Sequence, residues 1–133
     1  MRNLRTTRPN CAHSWETLLK AAIDLIIFGA SGDLSARKLF PALFQLERLN
    51  LLEADLRIAA VARTQQTLDD FLPVLKEKMS SYMGDDAPSD EEWGSFITRF
   101  SYVSVNFSEP EQYGGLRTWL DDDRSSLFYF ATP

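Results

Sequence analysis

The stretch Asp24–Leu43, DLIIFGASGDLSARKLFPAL, holds a short apolar run, a glycine-bearing turn and an apolar pattern at helical spacing, in that order. Leu25 to Phe28 reads as a buried strand. It breaks into Gly29, Ala30, Ser31, Gly32 and Asp33, and the residues after Gly32 read as a helix. A strand feeding such a turn and then a helix sets backbone N–H groups at a helix N-terminus, where they can hold a phosphate. Gly29 permits the tight turn, and Gly32 lets the backbone approach a pyrophosphate with no side chain in the way. Ser35 stands where a dinucleotide fingerprint has its third glycine, and is small enough to keep helix and strand close. A bare Gly-x-x-Gly recurs by chance; its place between a strand and a helix gives it weight. The plain alternative is a strand-to-helix turn that binds nothing.

Outward from this stretch, strands and helices alternate. The first helix spans Asp33 to Leu51, with Leu34, Leu39, Leu43, Phe44, Leu46 and Leu49 as its expected buried stripe. Pro41 inside it removes one backbone bond and should bend the axis. Arg57–Arg63 reads as a second strand and Gln66–Tyr82 as a second helix. Glu91–Phe100 is a short helix and Tyr102–Phe107 a third strand. Glu109–Asp122 is a helix weakened by Gly114 and Gly115, and Ser126–Thr132 a fourth strand. This alternation predicts an α/β fold, a Rossmann-like doubly wound parallel sheet with only the first four strands present. Strand four is expected beside strand one, its far side an open edge carrying Phe128 and Phe130. Residues 1–22 are expected to form an irregular leader, and 23–133 a partial dinucleotide-binding domain.

The second strand ends in Ala62-Arg63-Thr64. Sites that prefer NAD usually place Asp or Glu there to accept from the ribose hydroxyl. Arg63 offers a planar cationic fork instead, suited to a 2′-phosphate. Taken with the upstream turn it favours NADP over NAD; taken alone it reads as readily as a surface arginine.

Composition narrows the partners. The chain has 133 residues, 44% hydrophobic and 25% charged, the size and make-up of one globular domain. A net charge of −5 argues against a nucleic-acid partner. The single cysteine, Cys11, rules out an internal disulfide and agrees with a cytoplasmic location. No apolar run approaches the roughly 18 residues of a membrane-spanning helix. Met1–Ser14 holds Arg2, Arg5, Arg8 and His13 and no acid, which reads as a solvated leader or as a loose likeness to a transit peptide. The P-loop pattern for ATP is absent. So is Tyr-x-x-x-Lys, since Arg117 stands four residues after Tyr113. His13, the sole histidine, is poorly placed as a general base. The acidic runs at Asp85, Asp90 and Asp121 read as solvated faces or helix-dipole partners rather than a metal site.

The sequence resembles the N-terminal, NADP-binding part of glucose-6-phosphate dehydrogenase. The likeness rests on Asp24–Leu43, including the unusual helical Pro41, on Val61-Ala62-Arg63, and on Leu127–Pro133, and covers about residues 23–133. It implies that Gly29, Ala30, Ser31, Gly32, Asp33, Leu34, Ser35 and Ala36 form the phosphate-binding turn and that Arg63 meets the 2′-phosphate of NADP. It further implies that Ser104 and Val105 lie near the adenosine and that Tyr129 approaches the cofactor. The implied activity is oxidation of glucose 6-phosphate to 6-phosphogluconolactone with NADP+, the first step of the pentose phosphate pathway, in a cytoplasmic homo-oligomer. Family members continue with a Glu-Lys-Pro segment, an Asp-His-Tyr segment and a later histidine that takes the substrate proton. None of these occurs in the 133 residues, so the chain is expected to bind coenzyme without completing the reaction. A non-catalytic NADP-binding sensor and an inert remnant are the competing readings.

Overall fold

The computed structural model describes residues 22–131. All of the expected leader except Ala22 lies outside them. Four strands, β1 (Ile23–Phe28), β2 (Arg57–Ala62), β3 (Phe100–Ser104) and β4 (Ser125–Phe130), form one parallel sheet in the order β3-β2-β1-β4. The expected Rossmann-like sheet is present, with strand four beside strand one. The helices are α1 (Phe40–Arg48), α2 (Leu68–Met83), α3 (Asp90–Ile97) and α4 (Gly114–Trp119).

Inner parallel strands are covered on both faces, which is why β1 and β2 are almost continuously apolar. On one face Leu25, Ile27, Ile58 and Ala60 meet Phe40 and Phe44 of α1, Phe71 and Met79 of α2, and Phe96 of α3. Edge-on aromatic pairs link this core, with Phe96 5.5 Å from Phe44 and 5.0 Å from Phe100. On the other face Ile26, Phe28, Ala59 and Val61 are covered by Val105 and by Leu116 of α4.

The first helix departs from its expected buried stripe. Phe40, Leu43 and Phe44 are buried, whereas Leu34, Leu46 and Leu49 are exposed. For Leu34, Pro41 supplies the reason. It has no N–H to donate to Arg37 and its ring crowds that carbonyl, and the preceding turn, Ser35–Leu39, widens until the Phe40 N–H reaches Ser35 O. The wide turn shifts the helical phase, so Leu34 before it no longer shares a face with Leu43 after it; Leu46 falls on the outer side of α1 and Leu49 lies just past its end. Beyond Phe44 the inward position falls to Glu47, which pairs with Arg99 at 2.9 Å.

Other boundaries differ from expectation: the first helix ends at Arg48 rather than Leu51, and the helix expected over Glu91–Phe100 ends at Ile97, with Phe100 opening β3. Strand three runs Phe100–Ser104 rather than Tyr102–Phe107, because Asn106 turns the chain: its Oδ1 accepts from the Ser108 N–H and hydroxyl. The helix expected over Glu109–Asp122 contracts to a 3₁₀ turn, Pro110–Tyr113, and then the short α4.

The N-terminal end of the sheet is closed by charge. Asp24 is fully buried, and Arg57 grips it with two bonds, Nε to Oδ1 at 2.7 Å and Nη2 to Oδ2 at 2.6 Å. Arg124, just before β4, adds a third at 2.5 Å. The Arg57 guanidinium also lies 4.3 Å from the centre of the Trp119 ring. Burial pushes the Asp24 carboxyl up, but the bonds and charges of Arg57 and then Arg124 outweigh it and hold it below the usual aspartate value.

A second clasp joins α1 to α3. Ser89 and Glu92 form a reciprocal capping box at the start of α3, and the same Glu92 accepts from Arg48 at 2.9 Å. The Arg48 bond, then the Ser89 N–H, lower Glu92 from 4.5 to about 2. A carboxylate depressed on folding stabilises the fold above its ordinary value and loses that contribution as pH falls through its folded one. Stability is therefore expected to fall from about pH 4.5 down to about pH 2, and Glu92→Gln, which can still cap, should flatten that fall. Urea midpoints measured across this range check it; an unchanged slope in the variant would contradict the assignment.

β4 is an outer strand, at the opposite edge from β3. Leu127, Phe128, Tyr129 and Phe130 are all exposed, as expected for the edge carrying Phe128 and Phe130. The two phenylalanines stack beside Phe28, with ring centres 6.1 and 5.0 Å away.

Candidate functional site

Gly29 comes directly after β1 and has a φ of +84°, a conformation that side-chain-bearing residues rarely take. The N–H groups of Gly29 and Ala30 both donate to Val61 O, at 2.9 and 3.1 Å, which docks the turn on the end of β2. Gly29 O in turn accepts from the Gly32 N–H and from the Ser35 hydroxyl, each at 3.0 Å. A Cβ on Gly32 would stand 3.3 Å from Gly29 O, closer than ordinary contact, so a side chain there would press the turn open. Ser35 is fully buried, and its hydroxyl ties the turn shut, a role beyond the small size that the sequence suggested.

The chain leaving β2 comes to the same end of the sheet. Ala62, Arg63 and Thr64 face the glycine turn across an open cleft of about 670 Å³, also lined by Gly29, Ser31 and Gly32. Asn106, Phe107 and Ser108, after β3, and Ala131, after β4, complete the lining. The cleft lies outside the C-terminal ends of the strands, where the chain switches from building outward (β1, β2, β3) to the other side of β1. Open parallel sheets bind ligands at such a point.

Of the site residues expected from the sequence, Gly29, Ser31, Gly32 and Arg63 line the cleft together. Ala30, Ser35 and Ala36 are buried behind the turn. Asp33 is exposed beside it, paired with Arg37 at 3.4 Å, and Leu34 is exposed as well. Ser104 donates its hydroxyl to Arg63 O at 3.3 Å. Val105 is buried against α4 and its N–H bonds Ala62 O at 2.8 Å. Tyr129 stands opposite Ile27 in the register, on the α1 side of the sheet. Thr64, Asn106, Phe107, Ser108 and Ala131 are lining residues that the sequence does not mark as such, although Asn-x-Ser is a turn signal that points to the end of β3.

Charge pairing separates Arg63 from its neighbours. Arg37, Arg48, Arg57, Arg99 and Arg124 each hold a carboxylate. Among the described residues no ion pair forms at Arg63, which is exposed on the cleft, or at Arg117, which lines a groove with Arg57 and Trp119 at the far end of the sheet. Among the described residues no cluster of His, Cys, Asp and Glu is arranged to hold a metal ion, and no helix is long and apolar enough to cross a membrane.

A parallel sheet in this order, with a glycine turn opening a helix at its C-terminal edge, defines a Rossmann-like nucleotide-binding domain. The family described as "Glucose-6-phosphate dehydrogenase, NAD binding domain" matches residues 26–133, and the chain belongs to it. The glucose-6-phosphate 1-dehydrogenase of Schizosaccharomyces pombe is 36% identical over 115 residues, and that of Dickeya dadantii 34% over 114. These matches cover 82% and 84% of this chain, and the chain spans 23% of the length of either relative. The crystal structure of the Mycobacterium avium enzyme superposes with a TM-score of 0.77 at 30% identity, over 86% of this chain and 24% of that one. A glucose-6-phosphate dehydrogenase in complex with its substrate superposes with a TM-score of 0.70, also at 30% identity, over 86% of this chain and 25% of that one.

Proposed function

We propose that residues 23–133 form the coenzyme-binding part of a glucose-6-phosphate dehydrogenase, and that the coenzyme is NADP+. The observation that carries this is an exposed guanidinium without an ion pair, on Arg63, facing a closed glycine turn across one cleft. The turn offers the backbone a close approach to a pyrophosphate, and Arg63 offers a planar fork to a 2′-phosphate. The end of β2 has no carboxylate to accept from a ribose hydroxyl and favour NAD+. Bound there, the nicotinamide supplies a hydride acceptor for the C1 position of glucose 6-phosphate. The chain's own residues bind and orient the dinucleotide. Residues 22–131 hold no histidine to take the substrate proton, since the only one in the sequence is His13. On this reading the chain works in the cytoplasm, within a homo-oligomer, and these residues alone turn over no substrate.

The test is a calorimetric titration of the chain with NADP+ and with NAD+, repeated on Gly32→Val. Saturable binding with NADP+ the tighter ligand is expected. Valine at 32 should weaken both dinucleotides at least about tenfold by filling the approach to the backbone. Failure of the folded wild-type chain to bind either would contradict the proposal, and so would undiminished binding by the variant.

A further inference from the structure

We propose that Tyr102 and Ser104 are positioning residues for coenzyme choice: from β3 they hold the loop after β2 so that Arg63 stands ready for the 2′-phosphate. This role rests on Arg63 being the residue that reads that phosphate. Residues 63–67 join β2 to α2, and both Arg63 and Thr64 are exposed. Two side chains tie the carbonyls of this surface loop. The Tyr102 hydroxyl donates to Thr64 O at 2.6 Å and accepts from Gln66 Nε2 at 3.3 Å. The Ser104 hydroxyl donates to Arg63 O at 3.3 Å. The far end of the loop is closed by the Thr67–Asp70 capping box.

The tether is itself anchored. Tyr102 pairs with Ala60 in the ladder, and its ring packs 5.1 Å from that of Phe71 on α2. As alternate residues of one strand, Tyr102 and Ser104 point to the same side and reach successive carbonyls. Their hydroxyls hold the carbonyls of residues 63 and 64, which line the cleft, and their influence on Arg63 passes through that backbone. A backbone fixed beneath an otherwise free guanidinium lessens the ordering that binding must impose. The benefit falls only on a ligand that Arg63 contacts. NADP+ carries the 2′-phosphate and NAD+ does not, so the two hydroxyls act on discrimination rather than on dinucleotide binding at large.

The experiment titrates the chain with NADP+ and NAD+ as wild type, Tyr102→Phe, Ser104→Ala and each of these combined with Arg63→Ala. Tyr102→Phe keeps the ring on Phe71 and removes only the hydroxyl. It is expected to raise the Kd for NADP+ about fivefold, and Ser104→Ala about twofold, with NAD+ unchanged. In the Arg63→Ala background both effects should vanish. Should Tyr102→Phe fail to fold, Ser104→Ala alone carries the same comparison. Equal weakening of both dinucleotides would overturn the proposal, as would an effect that persists without Arg63. If Arg63→Ala leaves the preference between the two ligands unchanged, the assignment of Arg63 fails first and this proposal falls with it. That outcome is distinct from one in which Arg63 discriminates and the two hydroxyls do not.

Discussion

Asp24→Asn is expected to lower the unfolding free energy by about 3 kcal/mol, the low end of the cost of breaking a buried ion pair. The wild-type carboxylate is wholly enclosed and holds two guanidinium groups. A neutral amide of the same shape leaves Arg57 and Arg124 facing each other with no charge between them. Arg57, with 36% of its side chain exposed, recovers some hydration, which keeps the cost from being larger. Arg124 is only 14% exposed and recovers little. The urea midpoint reads the effect. The same group should contribute to acid unfolding. Its folded pKa lies below the usual 3.8, so its stabilisation is present above that value and is lost as pH falls through the folded one. The cluster sits at the end of the sheet away from the cleft, so the variant, where folded, should bind dinucleotide as the wild type does. A midpoint unchanged by the substitution would mean that the pair contributes nothing net.

Arg63→Ala is expected to weaken NADP+ binding about 10- to 100-fold and to leave NAD+ within about twofold. Hydrogen bonds to a charged group contribute roughly 1.5–3 kcal/mol, and each 1.4 kcal/mol is a factor of ten in affinity. The effect should approach the upper figure because Arg63 gives up no internal ion pair to bind, in contrast to Arg37 or Arg57. It should shrink as salt rises, since the site is an open cleft and exposed charges are screened. Calorimetric titration of the two proteins with both ligands measures it. Equal losses for both dinucleotides would show that Arg63 supports the site without reading the 2′-phosphate.

The sheet was legible in the sequence because its inner strands are buried on both faces and appear as apolar runs. β1 and β2 lie within two residues of where those runs place them, and so does β4, an exposed edge strand that shows instead as the run Leu127–Phe130. The glycine turn was legible because a strand, two small-residue positions and a helix occur in a fixed order. Helix phase was not legible around Pro41. A periodic reading assumes one constant turn, and the widened turn at Ser35–Leu39 breaks that assumption just where Leu34 and Phe40 exchange places. The end of β3 was hidden for a related reason. Val105 is apolar because it packs under α4, and its burial extends the apolar pattern past the last ladder residue. The cleft wall at Asn106–Ser108 was hidden with it. Long-range tethers such as Tyr102 to Thr64 leave no local signature, because they depend on which strands become neighbours.

The most direct test of the central claim is a crystal structure of the chain with NADP+. The pyrophosphate is expected over the turn at Gly29–Gly32, with the 2′-phosphate within hydrogen-bond reach of the Arg63 guanidinium. A dinucleotide seated elsewhere, or a 2′-phosphate pointing away from Arg63 into solvent, would contradict the claim.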